Sequence, residues 1–104
     1  MATTPVATAE IAESLGLTER ELFERALESL LRDRKREVLQ HRLDILARYA
    51  ASSVPDLESK IAQGAVPEHP AWEDLIVAEN LAARLEELDA YLDHLRGAEG
   101  GRSE

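Results

Sequence analysis

The side chains in this 104-residue chain that could bind a metal ion are three histidines and 21 carboxylates, since it has no cysteine. Glu37 and His41 stand four residues apart, as do Asp89 and Asp93, and His94 follows the second pair. That spacing places each pair on one helix face. The sequence lacks the Glu-x-x-His pattern of helical di-iron centres, and it has no HExxH, GxSxG or glycine-rich phosphate motif. We therefore predict surface pairing here, with no metal site, no cofactor and no catalytic activity.

The composition favours a helical protein. Leucine, alanine, glutamate and arginine dominate, and aromatic residues make up only 4% of the chain. The net charge of -9 disfavours non-specific binding to nucleic acids or membranes. It either suits a basic protein partner or serves only to keep the chain soluble. The opening residues lack the basic and apolar regions of a signal peptide, and no apolar run is long enough to span a bilayer. These features predict a cytoplasmic protein that is not in a membrane.

The first long helix is predicted at about residues 18–50. Thr18 and Glu21 have the spacing of a capping box, flanked by Leu17 and Leu22 as a hydrophobic staple. The charged run RDRKRE interrupts the apolar stripe, but no glycine or proline breaks the helix. A short helix at about 8–15, capped by Thr8, precedes it and ends in a left-handed turn at residue 16.

A second long helix is predicted at about residues 70–96. A short helix at about 54–63 ends at Gly64, and Pro67 and Pro70 prevent a continuous helix through the following link. Pro70 suits the first position of the last helix. We interpret residues 1–96 as one helical domain and residues 97–104 as a disordered tail.

The fold class predicted is all-α, an antiparallel hairpin of two long helices that a dimer or another protein completes as a bundle. The reason is that one neighbour cannot cover all the apolar positions. The residues assigned to the core or dimer contact are Leu22, Phe23, Leu27, Leu30, Leu31, Leu81, Leu85, Leu88, Leu92 and Leu95.

Two surface features have alternative interpretations. The first is the basic run of the long helix, which consists of Arg32, Arg34, Lys35 and Arg36. These side chains either form ion pairs along a solvated face or contact phosphate or acidic groups. The second is the single tryptophan, Trp72, which either packs in the core or anchors a partner.

The segment Gly16–Leu31, GLTERELFERALESLL, resembles the second helix of ribbon-helix-helix proteins, which include many antitoxins of bacterial toxin–antitoxin pairs. The resemblance implies a dimerisation helix, with DNA contacts from a preceding strand, where Thr3, Thr4 and Thr8 are the polar candidates. Residues 1–15 are short for that strand and its first helix.

The second half, from Tyr49 to Leu95, looks like small uncharacterised helical proteins of bacteria and archaea that are associated with antitoxins. This likeness implies that the last helix covers the basic surface of a toxin. The residues assigned to partner binding are Trp72, Leu75, Ile76, Glu73, Asp74 and Glu79. The competing hypotheses are a self-associating scaffold or adaptor and a DNA-binding autoregulator.

Overall fold

A computed structural model describes residues 7–102, with side chains as far as residue 97. This part of the chain is helical and contains no strand. The predicted all-α fold is therefore confirmed. The helices are α1 (Thr8–Ser14), α2 (Glu19–Arg48), α3 (Val54–Ala62) and α4 (Glu68–Arg102). The ribbon considered for residues 1–15 is wrong for residues 8–14, because these form α1 and Thr8 is helical. Residues 1–6, which include Thr3 and Thr4, lie outside the described residues.

The start of α2 follows from its local sequence. The Thr18 hydroxyl accepts a hydrogen bond from the Glu21 amide at 3.0 Å, and the Glu21 carboxylate accepts one from the Thr18 amide at 2.9 Å. The predicted capping box is thus confirmed. α2 continues without a break through the charged run. The predicted cap of α1 is wrong, because Ala7 precedes that helix without a side-chain cap and Thr8 is its first helical residue.

Three helices end in the same left-handed turn. Gly16 and Gly64 both have φ of 74°, and Ala50 occupies the equivalent position after α2 with φ of 51°. The Ala50 amide donates to the Ala47 carbonyl at 3.2 Å, and the next amide donates to the Leu46 carbonyl at 2.9 Å. These two bonds satisfy carbonyls that the end of a helix leaves unpaired. Ala50 is unusual, since glycine is the residue that adopts this conformation without strain.

The last helix begins as predicted but ends later. His69 has an extended backbone (φ -114°, ψ 130°) and the His69–Pro70 peptide is cis, so the continuous helical backbone starts at Pro70. α4 reaches Arg102, whereas the sequence predicted an end near Arg96 and a tail over 97–104. Each residue added to a formed helix gains a backbone hydrogen bond, and no proline follows Pro70 to remove one. Residues 103–104 lie outside the described part.

The long helices run antiparallel. Arg48 and Tyr49, at the end of α2, contact Asp74 near the start of α4. Lys35, in the middle of α2, pairs with Asp89 farther along α4 at 2.6 Å. The hairpin therefore has a closed end at the α2–α3–α4 corner and an open end where α2 begins and α4 finishes.

The hydrophobic core lies at the closed end, because three helices meet there. Its buried members are Ile45, Leu46, Leu57, Ile61, Ala71, Leu75 and Ala78. Toward the open end α2 and α4 lie side by side, with Leu88 and Leu92 as the buried residues of that part of α4. α1 packs against the start of α2, where Ala12 is buried. The molecule is accordingly flat, with extents of 59 × 43 × 16 Å.

Candidate functional site

The histidine and carboxylate pairs do not assemble into a metal centre. Among residues 7–102, no group of three or more such side chains could hold a metal ion. Asp89 is paired with Lys35 at 2.6 Å, and Asp93 lies 3.7 Å from Arg96. No helix in the same range is both long enough and apolar enough to cross a membrane.

The basic run on α2 is matched by acidic residues. Lys35 reaches across the hairpin to Asp89, where its charge ties α2 to α4. The three arginines pair within α2, each three or four residues from a carboxylate. These pairs are Arg32 with Glu28, Arg34 with Glu37, and Arg36 with Asp33. The structure thus shows ion pairs of the kind expected on a solvated helix face.

A polar contact holds the closed end together. The Tyr49 hydroxyl donates a hydrogen bond to the Asp74 carboxylate, which also lies 3.5 Å from the Arg48 guanidinium. The hydrogen bond to Asp74, followed by desolvation and the negative charge of Asp74, raises the pKa of the Tyr49 phenol. Asp74 is therefore engaged within the molecule, between the end of α2 and the start of α4.

The exposed side of α4 carries a regular strip that starts at the tryptophan. Its six positions are spaced four, three, four, three and four residues apart, so they form one continuous line along the helix. All six are exposed. We call this set the outer strip, and it consists of Trp72, Ile76, Glu79, Ala83, Glu86 and Ala90.

The chemistry of the outer strip changes along its length. Trp72 is 49% exposed and Ile76 is 46% exposed, which leaves two large apolar side chains in water one turn apart. Glu79 and Glu86 follow, and neither forms an ion pair with another described residue. Ala83 lies between the two glutamates, and Ala90 lies one turn beyond Glu86. Their short side chains allow another backbone to approach closely.

A groove adjoins the apolar start of the outer strip. It has a volume of about 320 Å³ and is lined by Ile61 and Ala62 of α3 and by Glu68, His69 and Trp72. The Glu68 carboxylate has no ion-pair partner among the described residues. The surface around Trp72 therefore combines an apolar anchor, a concave neighbour and uncompensated negative charge.

The structure separates the six residues that were assigned to partner binding. Trp72, Ile76 and Glu79 share the outer strip. Leu75 is 1% exposed and packs in the core, so a partner cannot reach it in this fold. Glu73 pairs with His69 at 2.7 Å, and Asp74 is bonded to Tyr49. Sequence reasoning missed Ala83 and Ala90, although the four-and-three spacing that begins at Trp72 could have identified them.

The ten residues assigned to the core or dimer contact differ in how deeply they are buried. Leu88 and Leu92 are buried. Phe23 and Leu30 on α2 are 65% and 51% exposed. The remaining six are half-buried, and they are Leu22, Leu27, Leu31, Leu81, Leu85 and Leu95. The hairpin alone thus leaves part of its apolar surface uncovered, mainly toward the open end.

Comparison with known proteins identifies a family. No curated protein sequence and no solved structure matches the chain. Residues 1–100 match the sequence profile of the Uncharacterized protein MJ0235 family. Because this match covers nearly the whole chain, the protein belongs to the Uncharacterized protein MJ0235 family.

Proposed function

We propose that this chain is a non-enzymatic protein-binding module that docks a basic partner protein along the outer strip of α4. The observation that carries the proposal is the exposure of Trp72 and Ile76 on the same line as Glu79 and Glu86. Exposed tryptophan beside aliphatic groups supplies apolar contact area, and it is the residue type most often found at interface hot spots.

The charge of the strip indicates the chemistry of the partner. Glu68, Glu79 and Glu86 have no cationic partner among the described residues, in contrast to the basic run on α2. A partner with lysine or arginine side chains at the matching spacing would neutralise them and would be drawn to a chain of net charge -9. Such a surface supports an antitoxin-like role, in which an acidic helix covers the basic surface of a toxin.

The test is co-expression of the tagged chain with each reading frame that adjoins its gene. We expect a basic neighbour to co-purify, to arrest growth when expressed alone, and to be neutralised when both are present. Trp72→Ala should weaken the complex by about 30-fold or more, because a hot-spot truncation costs about 2 kcal/mol. Glu79→Lys should slow association and reduce its dependence on salt.

Matched substitutions at other surfaces control for non-specific effects. Leu43→Ala removes an apolar side chain that is 54% exposed on α2, comparable with Trp72. Glu13→Lys makes the same charge change as Glu79→Lys at an exposed position of α1. Neither control should affect binding. Recovery of the chain alone from every co-expression, or full binding by the Trp72→Ala variant, would refute the proposal.

A further inference from the structure

We infer that a second copy of this chain covers the apolar face at the open end of the hairpin. This inference concerns a different surface from the outer strip and does not depend on the proposed partner. Tyr91 follows Ala90 of the outer strip, but successive residues of an α-helix point about 100° apart, and Tyr91 lines a groove with Leu27 and Leu31 of α2. The face, which we call the open-end face, consists of Phe23, Leu27, Leu30, Leu31, Tyr91 and Leu95.

The open-end face is continuous across both long helices. Phe23, Leu27 and Leu30 follow each other at spacings of four and three, so they form one ridge on α2. A groove of about 310 Å³ joins this ridge to α4, and it is lined by Leu27, Leu31, Tyr91, His94 and Leu95. Four of the six members of the face thus line the groove, and the other two, Phe23 and Leu30, each lie one turn from Leu27.

The chain exposes more surface than a compact domain of its mass, enough to supply a dimer interface. The chain exposes 7371 Å² of accessible surface. A compact monomer of 11.5 kDa exposes roughly 5,800 Å², so the excess is roughly 1,500 Å². This excess is spread over the whole chain, and a dimer in which each copy covered half of it would bury about 1,500 Å², the size of a standard stable interface. The radius of gyration of 20.2 Å, against about 13 Å for a compact domain of this length, reflects the same elongated shape.

The charges around the open-end face favour a copy of the same chain over a basic protein. Arg34 and Glu37 lie one to two turns beyond Leu30 and are 3.9 Å apart. Arg84 and Glu87 lie one to two turns before Tyr91 and are 3.3 Å apart. Each pair is neutral, as are the pairs nearer the face, Arg20 with Glu24, Arg32 with Glu28 and Arg96 with Asp93. The charges that border two such faces therefore do not oppose their contact. An apolar centre with a neutral polar rim is therefore self-complementary, as a two-fold interface requires.

Measurement of the solution mass tests the inference. The wild-type chain should show twice its 11.5 kDa mass by light scattering or sedimentation at tens of micromolar, and it should dissociate on dilution. Leu30→Glu should give the monomer mass, with its association constant reduced at least 100-fold. Leu43→Glu is the matched control on the same helix, since Leu43 is 54% exposed and Leu30 is 51% exposed. The control should remain dimeric.

A second measurement does not depend on charge insertion. The chain has no cysteine, so Leu30→Cys and Leu43→Cys each carry a single thiol. Thiol labelling should be protected at Leu30→Cys at concentrations where the dimer forms and should become fast on dilution, whereas Leu43→Cys should label at the same rate throughout. A wild-type monomer at all concentrations would overturn the inference. It would also be overturned by assembly that survives Leu30→Glu, or by concentration-independent labelling of Leu30→Cys.

Discussion

Ala50 offers a test of how the chain turns from α2 into α3, because it holds a conformation that suits glycine. Its φ is 51°, and in this region the Cβ atom crowds the backbone at a cost of roughly 1–2 kcal/mol. Glycine removes that strain but makes the unfolded chain more flexible, which offsets roughly 0.4–1 kcal/mol. We therefore expect Ala50→Gly to raise the free energy of unfolding by about 0.5–1 kcal/mol.

The assay is urea unfolding followed by far-UV circular dichroism. All variants should be measured at one fixed protein concentration, because any self-association shifts apparent stability by mass action. The midpoint of the transition should rise in Ala50→Gly while the slope with urea stays constant, since the substitution changes no buried surface.

Two matched substitutions separate the strained turn from a general effect of glycine. Ala47→Gly makes the same change in the last turn of α2, where it should lower stability by about 1 kcal/mol. Gly64→Ala places a Cβ at the equivalent turn after α3, where nothing lies within 4 Å, so only backbone strain is added. It should lower stability by about as much as Ala50→Gly raises it. If Ala50→Gly and Ala47→Gly lower stability alike, the account of this turn is wrong.

Two further predictions concern the closed end. Tyr49→Phe should lower stability by about 1 kcal/mol at neutral pH, because it removes the hydrogen bond to Asp74. The raised pKa of Tyr49 means that this contribution is complete below the unfolded pKa of about 10 and is lost as pH rises through the folded value. Urea titrations from pH 8 upward should thus show a steeper alkaline loss in the wild type than in Tyr49→Phe, and identical pH profiles would contradict this. Leu75→Ala should lower the unfolding free energy by about 2–5 kcal/mol, because Leu75 is 1% exposed in the core, and a loss below 1 kcal/mol would show that the core is not packed as described.

Local sequence signals determined where most helices begin and end. The Thr18–Glu21 capping box, the left-handed turns at Gly16 and Gly64 and the start at Pro70 depend on the backbone and side chains of a few adjacent residues. Such interactions are complete within one turn of chain, and a single sequence therefore predicts them. The two long helices and the all-α class follow from the same signals together with apolar spacing.

What the sequence did not determine is which apolar residue a neighbour covers. Leu75 and Ile76 are adjacent and similar in hydrophobicity, yet Leu75 is buried and Ile76 is 46% exposed. The difference depends on where α3 and the end of α2 pack against α4, which is a long-range property. The same holds for Asp74, assigned to a partner from its charge and found bonded to Tyr49, and for Lys35, found paired with Asp89.

The candidate site was therefore predictable in its residue types and only partly in its members. Sequence alone supplied Trp72 as a possible anchor and an acidic last helix. The tertiary structure decided that Trp72, Ile76 and Glu79 lie together on the outer strip, because the core occupies the other side of α4. It also left the open-end face uncovered, since α3 is too short to extend beyond the closed end and cover it.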